Sequence, residues 1–332
     1  MISLEHYRAL REGAGLVDRR GRGRLYLTGE DRRSYLHGLL TNDIAVLGPG
    51  QGCYAALLTS QGRMIADMRV LELGDAILMD LDRTAAVTVL EHLQTFVFNE
   101  DVASVDVTET LAQLGVYGPS APSALAAACG GNADELQALP LYASLRLVHD
   151  GGSITVVRSD DYGIPGFDLF AESSRFDALA SSLRNGGAVD VDPAVVEVVR
   201  VESGRPLFGA DMDEHTIPLE AGIENRAISL TKGCYVGQEI IIRVLHRGHG
   251  RVARRLVGIT MEAAAPQPAR GDPIRSGDRN IGAVTSAATS PTLGKPIALG
   301  YVHRDFSEPG TPVTIAHDQS AFPALVTRAP FV

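Results

Sequence analysis

The C-terminal part of the chain constrains the fold most tightly. From residue 271 onward, short apolar runs at 282–286, 297–302, 312–316 and 324–327 alternate with Gly and Pro turns. Short strands at regular spacing, punctuated by turn residues, predict a small antiparallel barrel or sandwich. A strand-like run at 256–260 and a linker of small residues and proline at 263–269 precede them. The change of character near 250–255 marks an expected boundary between a larger region, 1–250, and a compact β-unit, 251–332.

In the larger region helical and strand patterns intermingle, an α+β organisation. Ser3 is placed to cap a helix over 3–12. Tyr35, Leu36, Leu39 and Leu40 recur at helical spacing within 30–40. A strand over 53–58 is expected to turn through Ser60-Gln61-Gly62 and return along 64–73, placing Asp67 and Arg69 on one face. Further strands are expected at 24–28, 76–81 and 167–171. Helices are expected at 84–94, 119–129 and 174–184, and another opens at Pro193 and runs to about Ser203. The stretch 204–232 shows little regular pattern.

A formal charge of −10 and a pI near 5.4 argue against a general nucleic-acid surface, so no direct DNA binding is expected. The densest basic patch, with Arg247, Arg251, Arg254 and Arg255, reads as a solvated face or a set of interdomain ion pairs. No apolar run nears the roughly 20 residues that span a bilayer, and the first ten residues lack a signal-peptide core; the expected location is the cytoplasm. Cys53, Cys129 and Cys234 are too few and too scattered for a disulfide framework or a CxxC metal site. No metal site is expected.

Three places carry candidate chemistry. Cys234 lies in Lys232-Gly233-Cys234-Tyr235-Val236-Gly237-Gln238-Glu239 (KGCYVGQE), ahead of Ile240-Ile241-Ile242, and a helix starting there beside Lys232 would favour its thiolate. His246 and His249 are the nearest histidines in sequence; some three helical turns from the thiol, they suit a surface role near a helix end better than a Cys–His pair. Asp67 stands inside an apolar strand, where a carboxylate is expensive without a partner. Glu202, in Arg200-Val201-Glu202-Ser203-Gly204-Arg205, could accept two parallel hydrogen bonds from an amino-heterocycle. Alternatively each acid pairs with a nearby arginine, Asp67 with Arg69 and Glu202 with Arg205.

Several stretches resemble the glycine-cleavage T-protein superfamily of folate-binding proteins: Ala14-Gly15-Leu16-Val17-Asp18, Leu39-Leu40-Thr41-Asn42-Asp43-Ile44, Arg200-Val201-Glu202-Ser203-Gly204, Phe208-Gly209-Ala210-Asp211 and Thr289-Ser290-Pro291-Thr292-Leu293-Gly294-Lys295. The similarity covers nearly the whole chain. KGCYVGQE resembles the signature of the YgfZ branch, whose mitochondrial homologues act in iron–sulfur protein maturation. The resemblance implies a three-domain cloverleaf of the aminomethyltransferase folate-binding type, with a small C-terminal antiparallel β-barrel and tetrahydrofolate, or a derivative, in a central pocket. It assigns Asp67 to the reactive nitrogens of the folate, Glu202 to the pterin edge, and Tyr54 and Tyr162 to the pocket walls. Lys232 is placed to meet the anionic glutamate tail. The residue before Asp67, often a second Asp among the aminomethyltransferases, is Ala66.

The function so implied is tetrahydrofolate binding in support of iron–sulfur cluster synthesis or repair in client enzymes, including tRNA-modifying ones, with Cys234 as the working thiol. Partners would then be iron–sulfur client or assembly proteins. The alternatives are an aminomethyltransferase of glycine cleavage and a non-catalytic folate-binding scaffold.

Overall fold

The computed structural model describes residues 2–247, 251–318 and 320–332. Three β-units organise the chain. The first is a six-stranded sheet in the order Val189–Asp190, Gly15–Asp18, Leu111–Tyr117, Gly166–Glu172, Gly152–Ser159 and Ser144–His149. All its pairings are antiparallel except the parallel one between Gly15–Asp18 and Val189–Asp190. The second is a five-stranded antiparallel sheet in the order Gln51–Leu58, Met64–Glu72, Ile77–Asp82, Arg22–Thr28 and Ala103–Asp106. It is inserted between the first strand of the six-stranded sheet and the remainder, so the two are interwoven. Arg254–Met261, Pro273–Ser276, Arg279–Ser290, Lys295–His303, Pro312–His317 and Ser320–Thr327 close an antiparallel barrel.

Each sheet is covered on one face by helices whose apolar spacing selects that face. Ser3 caps the helix Leu4–Glu12, accepting from the His6 N–H at 3.3 Å. Tyr35, Leu36 and Leu39 of the helix Arg32–Leu39 pack with Ala55, Leu57, Met68 and Val70 of the five-stranded sheet. A fully buried leucine contributes about 1.5–3 kcal/mol, so this layer holds the hairpin's inner face firmly. Leu125 of Ala121–Cys129 and Leu179 and Leu183 of Phe176–Asn185 do the same for the six-stranded sheet. The helix Pro193–Glu202, opened by Pro193 and capped by Asp192, carries Val198, Val199 and Val201 into a core shared with Tyr7, Leu10 and the barrel residues Ile297 and Leu299.

Several expectations are revised. The stretch 204–232 contains two short helices, Pro218–Ala221 and Glu224–Ala227. The barrel has a strand at Pro273–Ser276 that no hydrophobic run announced, and its neighbour Arg279–Ser290 is longer than expected and shifts register between Val284 and Ser286. The α-helix begins within KGCYVGQE and covers only Gln238–Ile242 before a π-helical turn, Arg243–Arg247. Gly237 enters it with φ +84°, and a Cβ there would stand 2.5 Å from the Thr59 carbonyl oxygen, so close packing against the hairpin tip requires glycine. Cys234 thus lies in non-helical chain before the helix. His249 and the boundary at 250 lie outside the described residues. No helix among the described residues is long and apolar enough to cross a membrane.

Candidate functional site

The strand pair Gln51–Leu58 and Met64–Glu72 shows how the sequence builds the site. Tyr54 is paired opposite Arg69 and Ala56 opposite Asp67, so Tyr54, Asp67 and Arg69 share one face. The other face is the apolar layer against the helices. The polar face lines a cavity of about 520 Å³, together with Arg19 and Arg22, Asp161 and Tyr162, and Arg226. Glu197 and Arg200 of the helix Pro193–Glu202 form another wall, and no barrel residue among the described residues lines it.

A cross-strand pair anchors the cavity floor. Arg69 lies opposite Asp80 in the neighbouring strand and donates to it from Nε at 2.8 Å. The same guanidinium crosses to the other sheet and bonds Asp168, and Ser159 Oγ at 3.0 Å. Arg19 donates to Asp161 at 2.7 Å and to Asp168 at 3.2 Å, Arg22 bonds Asp80 at 2.5 Å, and Gln113 spans Asp80 and Asp168. Three guanidiniums thereby face three carboxylates, which offsets the large cost of burying charge. Asp80 is lowered to about 2; burial opposes this, but Arg22, Arg69 and Arg19 outweigh it.

Asp67 stands outside that pairing. It forms no ion pair among the described residues and accepts one side-chain hydrogen bond, from Tyr54 Oη at 2.5 Å. Burial raises its proton affinity, and the Tyr54 bond only partly offsets this. Tyr54 is itself raised well above the ordinary phenol value, by burial first and then by Asp67, so it remains a neutral donor. The Arg226 guanidinium lies 4.9 Å over the Tyr54 ring and donates to Tyr142 Oη at 2.8 Å. Tyr162 packs edge-on to Tyr117 at 4.8 Å, with Arg19 over its ring at 5.3 Å. Asp161 and Tyr162 are aimed by the turn after Gly152–Ser159, where Gly163 takes φ +73°.

Glu202 is placed differently from the sequence reading. It is fully buried but does not line the cavity. Its carboxylate accepts from Tyr7 Oη at 2.8 Å, from Ser290 Oγ at 2.5 Å and from Arg11. Five residues at about 100° each turn it about 140° away from Glu197, the acid on this helix that does face the cavity. Neither anticipated arginine pairing occurs: Arg69 serves Asp80 and Asp168, and Arg205 bonds Asp160.

Lys232 is likewise not a cavity residue. Its ammonium donates to the carbonyls of His37, Leu40 and Asn42 at 2.5, 2.6 and 3.0 Å, capping the C-terminal end of Arg32–Leu39. Burial lowers it to about 8, while Asp43 and Cys53 pull the other way. Cys234 is exposed and also outside the cavity, whereas burial pushes Cys53 up to about 12 and Cys129 up to about 11. The motif nevertheless grips the tip of the hairpin that carries Tyr54 and Asp67, through Gly237 against Thr59 and Ile240 near Gly62. Among the described residues no cluster of His, Cys, Asp or Glu is arranged to hold a metal ion.

Arg19, Asp161, Arg226 and Glu197 were missed in the sequence. Asp160-Asp161-Tyr162-Gly163 was the available signal for one of them, a pair of acids at a glycine turn. Arg226 had none, because the short helix Glu224–Ala227 is set by tertiary contacts.

Residues 2–232 match the model of the GCVT N-terminal domain, and residues 254–332 match that of the glycine cleavage T-protein C-terminal barrel domain. The chain belongs to the glycine cleavage T-protein family. Its relatives include an aminomethyltransferase of Rubrobacter xylanophilus, 33% identical over 330 residues, covering 99% of this chain and 86% of that protein. An aminomethyltransferase of Streptomyces coelicolor is 30% identical over 313 residues, covering 92% and 83%. The crystal structure of glycine cleavage system aminomethyltransferase T from Bartonella henselae superposes with a TM-score of 0.88 at 24% identity, over 99% of this chain and 89% of that one, and shows the same fold. Members of the T-protein family bind tetrahydrofolate as substrate or cofactor. These matches favour the aminomethyltransferase reading over the YgfZ branch.

Proposed function

We propose that the cavity binds tetrahydrofolate and that the chain is an aminomethyltransferase, passing a one-carbon unit from an aminomethylated lipoyl carrier to the folate. Asp67 is the observation that carries this reading: a desolvated carboxylate, free of any ion pair among the described residues, on the wall of a cavity of ligand size. The cavity suits the ligand in other respects. Tyr54 and Tyr162 offer aromatic surface to a pterin, and Arg205 and Arg226, which share one carboxylate, Asp160, offer positive charge to the glutamate carboxylates.

In the transfer the methylene carbon exchanges its C–S and C–N bonds for two bonds to folate nitrogens, whose protons leave with the thiol and the ammonia. Asp67 takes such a proton and returns it, while Tyr54 holds the carboxylate in place by its hydrogen bond. The paired floor of Arg19, Arg22, Arg69, Asp80 and Asp168 keeps the hairpin face fixed while this happens.

A second reading shares the folate pocket but has the chain support iron–sulfur cluster synthesis or repair in client enzymes, with Cys234 as the working thiol. Its support is the exposure of Cys234 beside two cysteines that burial makes inert. Calorimetric titration of tetrahydrofolate into wild type and Asp67→Asn, followed by an assay for methylene-tetrahydrofolate from an aminomethylated lipoyl carrier protein, separates the cases. Binding with turnover, both reduced in Asp67→Asn, is expected. Binding without turnover would move the function to the second reading, and no binding by folded wild type would overturn both.

A further inference from the structure

The cavity holds two carboxylates that the fold treats in opposite ways. Asp161 is held by Arg19 Nη2 at 2.7 Å, with Arg69 Nη1 at 3.6 Å. Asp67, on the neighbouring wall, has a phenol and, among the described residues, no ion pair. Arg22 lines the same cavity, and the charge of its guanidinium lowers Asp67 unless something cancels it. Asp80, Asp161 and Asp168 balance Arg19, Arg22 and Arg69 one for one. Losing Asp161 would leave one positive charge uncompensated beside Asp67.

We propose that Asp161 is a positioning residue that acts through Asp67: locked as an anion by Arg19 and Arg69, it cancels the arginine charge so that Asp67 can hold and release a proton at the bound amine. The inference rests on the reading that Asp67 faces the reacting nitrogens. Proton affinities point the same way. Asp161 is lowered, burial opposing and Arg69, Arg19 and Arg22 prevailing, whereas Asp67 is raised by burial, the Tyr54 bond and Arg22 opposing and Asp161 adding to the rise. The other charged and titratable groups lining the cavity are Tyr54 and Arg69 on the hairpin, together with Asp18, Arg19, Arg22, Asp82, Tyr162, Glu197, Arg200, Arg205 and Arg226. Arg200 pairs with Glu197 and Asp211, and Arg205 and Arg226 share Asp160, so three carboxylates offset three guanidiniums there as well.

The test needs no ligand. In full-length protein labelled with ¹³C at aspartate carboxyls, the Asp67 signal is assigned by its loss in Asp67→Asn and followed against pH by NMR. Wild type is expected to titrate above an unperturbed aspartate, Asp161→Asn at lower pH than wild type, and Asp161→Glu close to wild type. An Asp67 midpoint unmoved in Asp161→Asn, or an ordinary midpoint in wild type, would overturn the proposal. Should Asp161→Asn not fold, Arg19→Gln removes the partner cation instead; Asp67 is then expected to shift to higher pH, and no shift would equally overturn it. Calorimetry with tetrahydrofolate addresses the folate reading separately, so failure of one leaves the other standing.

Discussion

Asp67 and Glu202 are both acids withdrawn from bulk water, yet their surroundings differ in kind. Glu202 sits at the seam where the helix Pro193–Glu202 meets the N-terminal helix and the barrel, and Tyr7, Arg11 and Ser290 all donate to it. Asp67 sits on a cavity wall with one phenolic donor and open space beside it. A carboxylate with its acceptor sites filled by the protein's own donors is a structural tie. One left with unused acceptor capacity in a desolvated cavity is available to a ligand.

Substitutions should separate the two roles. Glu202→Ala leaves Arg11, Tyr7 and Ser290 without their acceptor and is expected to cost about 3 kcal/mol or more in denaturant unfolding. The folded fraction should bind tetrahydrofolate nearly as wild type does. If Glu202→Ala instead kept its stability and lost binding, the comparison would reverse and Glu202 would return as a ligand contact. Asp67→Asn should leave stability within about 0.5 kcal/mol and remove a charged hydrogen bond to the folate worth about 1.5–3 kcal/mol, roughly a ten- to hundredfold loss of affinity.

Acid should attack the paired floor in a defined window. Asp80 binds its proton less readily in the folded state, at about 2, than an unfolded aspartate does at about 3.9. Its contribution to stability is therefore full above about pH 4 and is lost as pH falls towards about 2. Thermal unfolding followed between pH 5 and pH 2 should show this decline, and Asp80→Asn should flatten it. An equal slope in the variant would place the acid sensitivity elsewhere.

The smallest effect on stability is expected at the thiol. Cys234→Ser should change unfolding by less than about 0.5 kcal/mol, while abolishing the single fast alkylation of the native protein. Cys53 and Cys129, raised by burial, should react only on unfolding. Fast labelling that persisted in Cys234→Ser would show that Cys53 or Cys129 is accessible in solution.

Much of the local structure was legible because it rests on side-chain period. Tyr35, Leu36 and Leu39 announced their helix, and the 64–73 alternation put Asp67 and Arg69 on one face, as the structure shows. The barrel was legible from its turns, although the strand Pro273–Ser276 was not, since four residues closed by pairing on both sides need no hydrophobic run. Glu202 and Lys232 mark the limit for the site. Each is a polar residue next to a recognisable motif, and proximity in sequence says nothing about which donors or acceptors fill its coordination.

Local sequence specifies most of the longer elements, the two-faced hairpin with Asp67 on its polar side, and the motifs that tie the chain to its family. These follow from periodicities of two and 3.6 residues, which act over short stretches. Packing between distant elements sets Arg69 on Asp80 and Asp168, leaves Asp67 without an ion pair among the described residues, and makes Glu202 and Lys232 ties within the fold. The reason is physical: a buried charge is paired with whatever group packing brings within about 3 Å, and those groups come from strands and helices far apart in the chain.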